Sequence, residues 1–142
     1  MRLLLLLLSG AVAVPNALAQ EYTDYHGRWQ GEMLFQIAHE SGLPQGAPAV
    51  QAGTLDIALD GSVRGLIPGA GCALRGTSTE FVSSANASID VAVDGCKDAR
   101  FNGPFIGRLI NNPVLKYASL RLSATRPSDS GTTPQMSAIL RR

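Results

Sequence analysis

Apolar and polar residues alternate strictly along several stretches of this chain, and a period of two fits only strands with one face buried and the other wet. Trp29, Gly31, Met33, Phe35 and Ile37 fall on one side of a segment whose other side carries Gln30, Glu32 and Gln36. Leu55, Ile57 and Leu59 alternate with Asp56, Ala58 and Asp60, and Ile89, Val91 and Val93 with Asp90, Ala92 and Asp94. Ala118, Leu120 and Leu122 alternate with Ser119, Arg121 and Ser123 in the same way. Beyond residue 19 no segment keeps a three-and-four apolar spacing for three turns, so the fold class is all-β.

Turn chemistry separates these runs. Asp60-Gly61 and Asp94-Gly95 read as type I′ hairpin signals, and Asn102-Gly103-Pro104 and Asn111-Asn112-Pro113 as further turns. About eight strands are expected, over roughly 27–37, 54–60, 62–67, 71–77, 79–83, 87–94, 99–110 with a break, and 114–124, with 135–141 as a candidate ninth. Short antiparallel strands in such number make a barrel or a sandwich. The mostly short connections favour an antiparallel up-and-down β-barrel, which also removes exposed sheet edges. Mid-strand Glu32, Asp56, Asp90 and Arg121 on the outward faces argue against a membrane-spanning barrel.

Residues 1–19 read as a cleaved secretory signal. Arg2 precedes an apolar run from Leu3 to Val14, Pro15 and Asn16 break it, and Ala17-Leu18-Ala19 presents small residues before a cut at Gln20. The run is shorter than the ~20 residues that span a bilayer. Six consecutive Leu after a short basic start point to a bacterial, periplasmic or secreted protein. Residues 20–142 then form a single domain. In an oxidising compartment, Cys72 and Cys96, the only two cysteines, read as one structural disulfide closing a 25-residue loop.

Chemistry is sparse by comparison. G-x-S-x-G, HExxH and a phosphate-binding glycine loop are all missing, and His26 and His39 are the only near-neutral bases. His39-Glu40-Ser41 adjoin in a Pro/Gly-rich stretch and read as an exposed polar loop. The expectation is a non-enzymatic protein with no cofactor and no metal. Residues 20–96 hold Arg28, Arg64 and Arg75 against nine carboxylates, whereas residues 97–142 hold eight Lys or Arg against Asp98 and Asp129. Such a division can give a barrel one acidic and one basic side that orient a charged partner. With basic and acidic residues equal in number after residue 19, nucleic acid is not an expected partner.

Gly27-Arg28-Trp29 at the start of the first long strand resembles the G-x-W opening of calycin-type barrels: lipocalins, avidins and small bacterial secreted protease inhibitors. The resemblance implies that Trp29 closes the barrel floor under a late-strand arginine, for which Arg121, or Arg141 at the end, is the candidate. It also likens the long connection 38–53 to the lid loop of lipocalins.

Two stretches, 38–53 and 126–134, read as long loops, and a proline-stiffened loop loses little entropy when it enters a partner's cleft. The functional expectation is a protein-binding barrel, an inhibitor or immunity-type factor that acts on a hydrolase or toxin of the cell envelope. Its candidate contacts are His39, Glu40, Leu43 and Pro44 in the first loop, with Arg100 and Arg108 on the basic side. The alternative is a carrier of a small apolar ligand held between Met33, Phe35, Ile57, Val91 and Leu120.

Overall fold

The alternating segments pair in chain order and the last returns to the first. The computed structural model describes residues 22–126 and 131–142, so the leader reading of residues 1–19 and the middle of the 126–134 loop, Pro127 and Asp129 included, lie outside the described residues. The strands are β1 Gly27–His39, β2 Ala49–Ile57, β3 Ser62–Ile67, β4 Cys72–Phe81, β5 Ser83–Asp94, β6 Gly103–Asn112, β7 Tyr117–Ala124 and β8 Thr132–Arg141. Each pairs antiparallel with its neighbours. Pairing of β1 with β8, from Gln30 opposite Arg141 to His39 opposite Thr132, closes the barrel. Short 3₁₀ turns at Pro68–Ala70 and Ala99–Phe101 are the helical elements among the described residues, and none of these residues form a helix long and apolar enough to cross a membrane.

The apolar faces turn inward. Trp29, Leu74, Ile89, Phe105, Leu109, Leu120, Leu122, Met136 and Leu140 are all less than 2% exposed. Glu32, Asp90 and Arg121 lie exposed on the outer wall. The barrel has two unlike ends. The entry end holds the lead-in segment Tyr22–His26, the β2–β3, β4–β5 and β6–β7 turns, and Arg142. The opposite end holds the β1–β2 loop, both 3₁₀ turns and the disulfide.

Several boundaries differ from the sequence reading. The segments expected at 71–77 and 79–83 are one strand, β4, and the candidate ninth strand is the eighth, β8. Pro134, expected in a loop, is buried in β8 opposite Ile37. It lies beyond the last β7–β8 pair, Ser123 with Gln135, so the ladder on that side asks no N–H of it. Both ends of the expected 38–53 loop are strand, since β1 runs on to His39 and β2 begins at Ala49. Alternation fades there because the inward position at Gly53 has no side chain. The space is filled by Met33 and Ile67, whose carbons lie 3.0 and 3.1 Å from where a Cβ would stand.

The two Asp-Gly signals resolve differently. Of Asp60 and Gly61 only Gly61 has positive φ, at 88°, and its N–H donates to the Ala58 carbonyl, 2.9 Å away. Ala58 N–H donates to Ser62 O, so this is a three-residue turn with a glycine bulge, not type I′. Gly95 opens the long connection to β6 instead of a tight hairpin, because the next residue, Cys96, leaves the sheet to bond Cys72. The alternating segments before these glycines therefore end in unlike turns at opposite ends of the barrel.

The disulfide joins the start of β4 to the segment after β5, where Lys97 N–H also donates to Ala70 O at 2.9 Å. Reduction, or replacement of both cysteines by serine, is expected to leave the barrel folded but to lower its stability by about 3 kcal/mol, on the chain-entropy account of a 25-residue loop. Urea unfolding should show a lower midpoint and a steeper slope, because the unfolded chain without its cross-link exposes more surface.

Candidate functional site

The disulfide end carries the residues that sequence patterning offers as partner contacts. Residues 40–48 connect β1 to β2 and are all exposed, yet the loop is braced. His39 N–H donates to Leu43 O at 2.8 Å, Gly42 N–H to His39 O at 2.7 Å and Gln45 N–H to Ile37 O at 2.7 Å. Pro44 bridges to Ala38, and Glu40 N–H donates to Gly131 O at 3.1 Å, one step beyond the last β1–β8 pair. Gly42 and Gly46 have φ of 79° and 80°, values that L side chains resist, and these let the chain fold back over the end of β1. The result is a fixed overhang with Leu43, 67% exposed, beside Pro44 at its tip.

Arg100 opens to the same end from the second 3₁₀ turn. Its guanidinium grips Asp98 through Nε at 3.0 Å and a terminal nitrogen at 2.7 Å, and this contact holds the Asp98 carboxyl below its usual range. The next residue, Phe101, turns inward and meets Phe35 edge-on, with ring centroids 5.0 Å apart, which closes this mouth.

Arg108 is elsewhere. It lies exposed on the outer wall of β6, directly across from Arg121 of β7, and covers the Phe81 ring at 4.0 Å. The structure therefore brings His39, Glu40, Leu43, Pro44 and Arg100 to one end and leaves Arg108 out. The expected basic side takes the form of the Arg108–Arg121 pair on the β6–β7 wall, but Arg64 and Arg75 face each other across β3 and β4 in the otherwise acidic half. Within that half Asp56 is bound by Arg28, Nε to Oδ1 at 2.9 Å, and Asp60 accepts from Ser62 N–H.

At the entry end Trp29 is fully buried, donates from Nε1 to Tyr25 O at 2.9 Å and meets Tyr22 edge-on at 5.9 Å. The arginine over its ring is Arg142, with Cζ 4.2 Å from the centroid. This corrects the expectation for Arg121 and Arg141. Arg121 points outward between inward-facing Leu120 and Leu122, and Arg141 also faces out, donating to Lys116 O. The signal was in the sequence: Met136, Ala138 and Leu140 face inward, so the same parity carries Arg142 in and Arg141 out. Tyr22, Tyr25 and Phe101, which complete the two plugs, lie outside any alternating run.

Grooves among the described residues lie on the outer wall, one of them lined by Leu34, Val50, Arg121 and Ile139. Compared with protein-family models, curated proteins and solved structures, the chain matches none. The class defined by fold and site is a closed, eight-stranded antiparallel barrel with a packed interior and one braced mouth loop.

Proposed function

We propose that this is an exported, non-enzymatic protein-binding barrel, an inhibitor or immunity-type factor for a cell-envelope hydrolase or toxin, with the overhang 40–48 as its contact surface. One observation carries the reading. The interior is occupied by the protein's own side chains and shut by aromatic residues at both mouths, so what the molecule offers is its surface. On that surface the overhang combines an exposed apolar tip, Leu43 and Pro44, with backbone bonds that hold it in place, and such a loop loses little freedom on binding. The disulfide suits an oxidising compartment. Trp29 beneath Arg142 is similar to the tryptophan–arginine arrangement that the calycin-type resemblance implies, with the arginine one residue beyond the expected place.

Carriage of an apolar ligand would require the packed side chains of Ile57, Val91 and Leu120 to move apart, and their tight burial weighs against it. The test is a one-to-one complex. The immobilised protein should retain an envelope hydrolase and suppress its activity, and Leu43→Asp should weaken that complex about thirtyfold, as for a central contact residue. Retention unaffected by Leu43→Asp would exclude the overhang as the binding surface.

A further inference from the structure

The outer wall of the barrel is not uniform. On β4 from Ala73 to Thr79 and on β5 from Ser88 to Asp94, the outward positions carry only small, hydroxyl or charged side chains. Around β1 the wall changes. Val50 of β2 lies directly across from half-buried Leu34 of β1, and Ile139 of β8 directly across from Glu32. Val50 and Ile139 are 47% and 54% exposed.

Charge on this face is divided between strands. No carboxylate occurs in β6, β7 or β8, yet Arg108, Arg121 and Arg141 all point outward from them. Arg121 stands directly across from Arg108, a like-charge placement that weakens a sheet, and has Ser137 on its other side. Arg108 is engaged by the Phe81 ring and Arg141 by the Lys116 carbonyl. Arg121 makes no hydrogen bond or ion pair among the described residues, and neither does Glu32. These two opposite charges flank β8, and both line the outer-wall groove that contains Leu34, Val50 and Ile139.

We propose that this wall is the contact face of a homodimer, in which Glu32 of each copy meets Arg121 of the other beside Ile139 and Leu34. A two-fold contact repeats every pairing, so a single face has to supply both members of each pair. This face does so. It holds a carboxylate and a guanidinium that the fold keeps apart by one strand, with aliphatic side chains between them. A foreign protein would have to present the reverse pattern, whereas a second copy already carries it. Pairing in the dimer also gives Arg121 a counter-charge to offset Arg108, and takes Val50 and Ile139 out of water. The overhang 40–48 contributes nothing to the groove, so the dimer face is separate from the proposed partner contact.

The experiment is sedimentation equilibrium of the purified protein from about 1 µM to about 1 mM, with charge reversals. The parent should associate reversibly to a dimer. Glu32→Arg and Arg121→Glu should each weaken association about a hundredfold, because either change sets like charges together at both symmetry-related contacts. An equimolar mixture of the two variants should dimerise again. One variant then presents cations at both positions and the other carboxylates at both, so a mixed pair regains both contacts, a recovery that a damaged fold cannot produce. Leu43→Asp should leave association unchanged, so this reading and that of the overhang fail separately. The proposal is overturned if the parent is monomeric throughout, if either reversal dimerises as well as the parent, or if the mixture stays monomeric. Capture of a different protein by this wall, with the protein itself monomeric, overturns it equally.

Discussion

Trp29→Ala is expected to cost about 4 kcal/mol, a large share of what a single domain of this size has to lose. The indole is the largest wholly buried side chain and fills the entry mouth. Its removal leaves a hole under Arg142, takes away the edge contact with Tyr22 and strips the Tyr25 carbonyl of its donor. Cavity and lost hydrogen bond add to the same sign. Trp29→Phe, which keeps a ring but no N–H, should lose about half as much. Arg142→Ala should lose about 1 kcal/mol, within the range of a partly desolvated cation over a ring. Because Trp29 is the only tryptophan, its fluorescence reports unfolding of the parent directly, while the variants are followed by far-UV circular dichroism. A loss under 1 kcal/mol for Trp29→Ala would mean that the mouth is not closed by this residue.

Gly107→Val is expected to be as damaging by a different route, at about 4 kcal/mol or more, or to abolish folding altogether. Gly107 pairs with Leu122, and a Cβ at Gly107 would stand 1.7 Å from the Arg121 carbonyl oxygen and 2.9 Å from Leu122 Cα. Both neighbours are backbone, so no rotamer change relieves the contact and β6 would have to part from β7. Gly76 in β4 is placed alike, 1.9 Å from Asp90 O. Gly46→Ala is the control: unlike Gly107 it holds a left-handed conformation, at φ 80°, but meets nothing within 4 Å, and should cost only about 1 kcal/mol. Comparable losses in Gly107→Val and Gly46→Ala would show that backbone freedom, not the close approach of strands, is what these glycines supply.

These two residues mark where sequence reading succeeds and where it stops. Alternation marks Trp29 as an inward residue, and its place at the barrel floor comes only from the G-x-W resemblance; the covering arginine is Arg142, one position beyond the Arg141 that the resemblance offers, and the alternation around Arg121 turns that residue outward. Gly107 gave no signal at all, since its requirement comes from a neighbouring strand fourteen residues further along the chain. Gly53 misled in the opposite sense. Its inward position is filled from Met33 and Ile67, so a true strand read as loop. For the candidate site, Leu43 and Pro44 were legible as loop residues, and the hydrogen bonds that fix them were not, because these are made by backbone groups with no residue preference.

The sequence by itself determined that the chain makes amphipathic strands and that its two cysteines can bond, because strand faces follow from the local pleat and two cysteines allow one internal bridge. Only the tertiary structure decided that the strands close into a barrel filled by its own side chains, that Arg142 covers Trp29, and that residues 40–48 are braced over the end of β1. Those facts depend on register and closure between strands distant in the chain. One register shift would exchange the inner and outer faces, and no local run of residues carries that information.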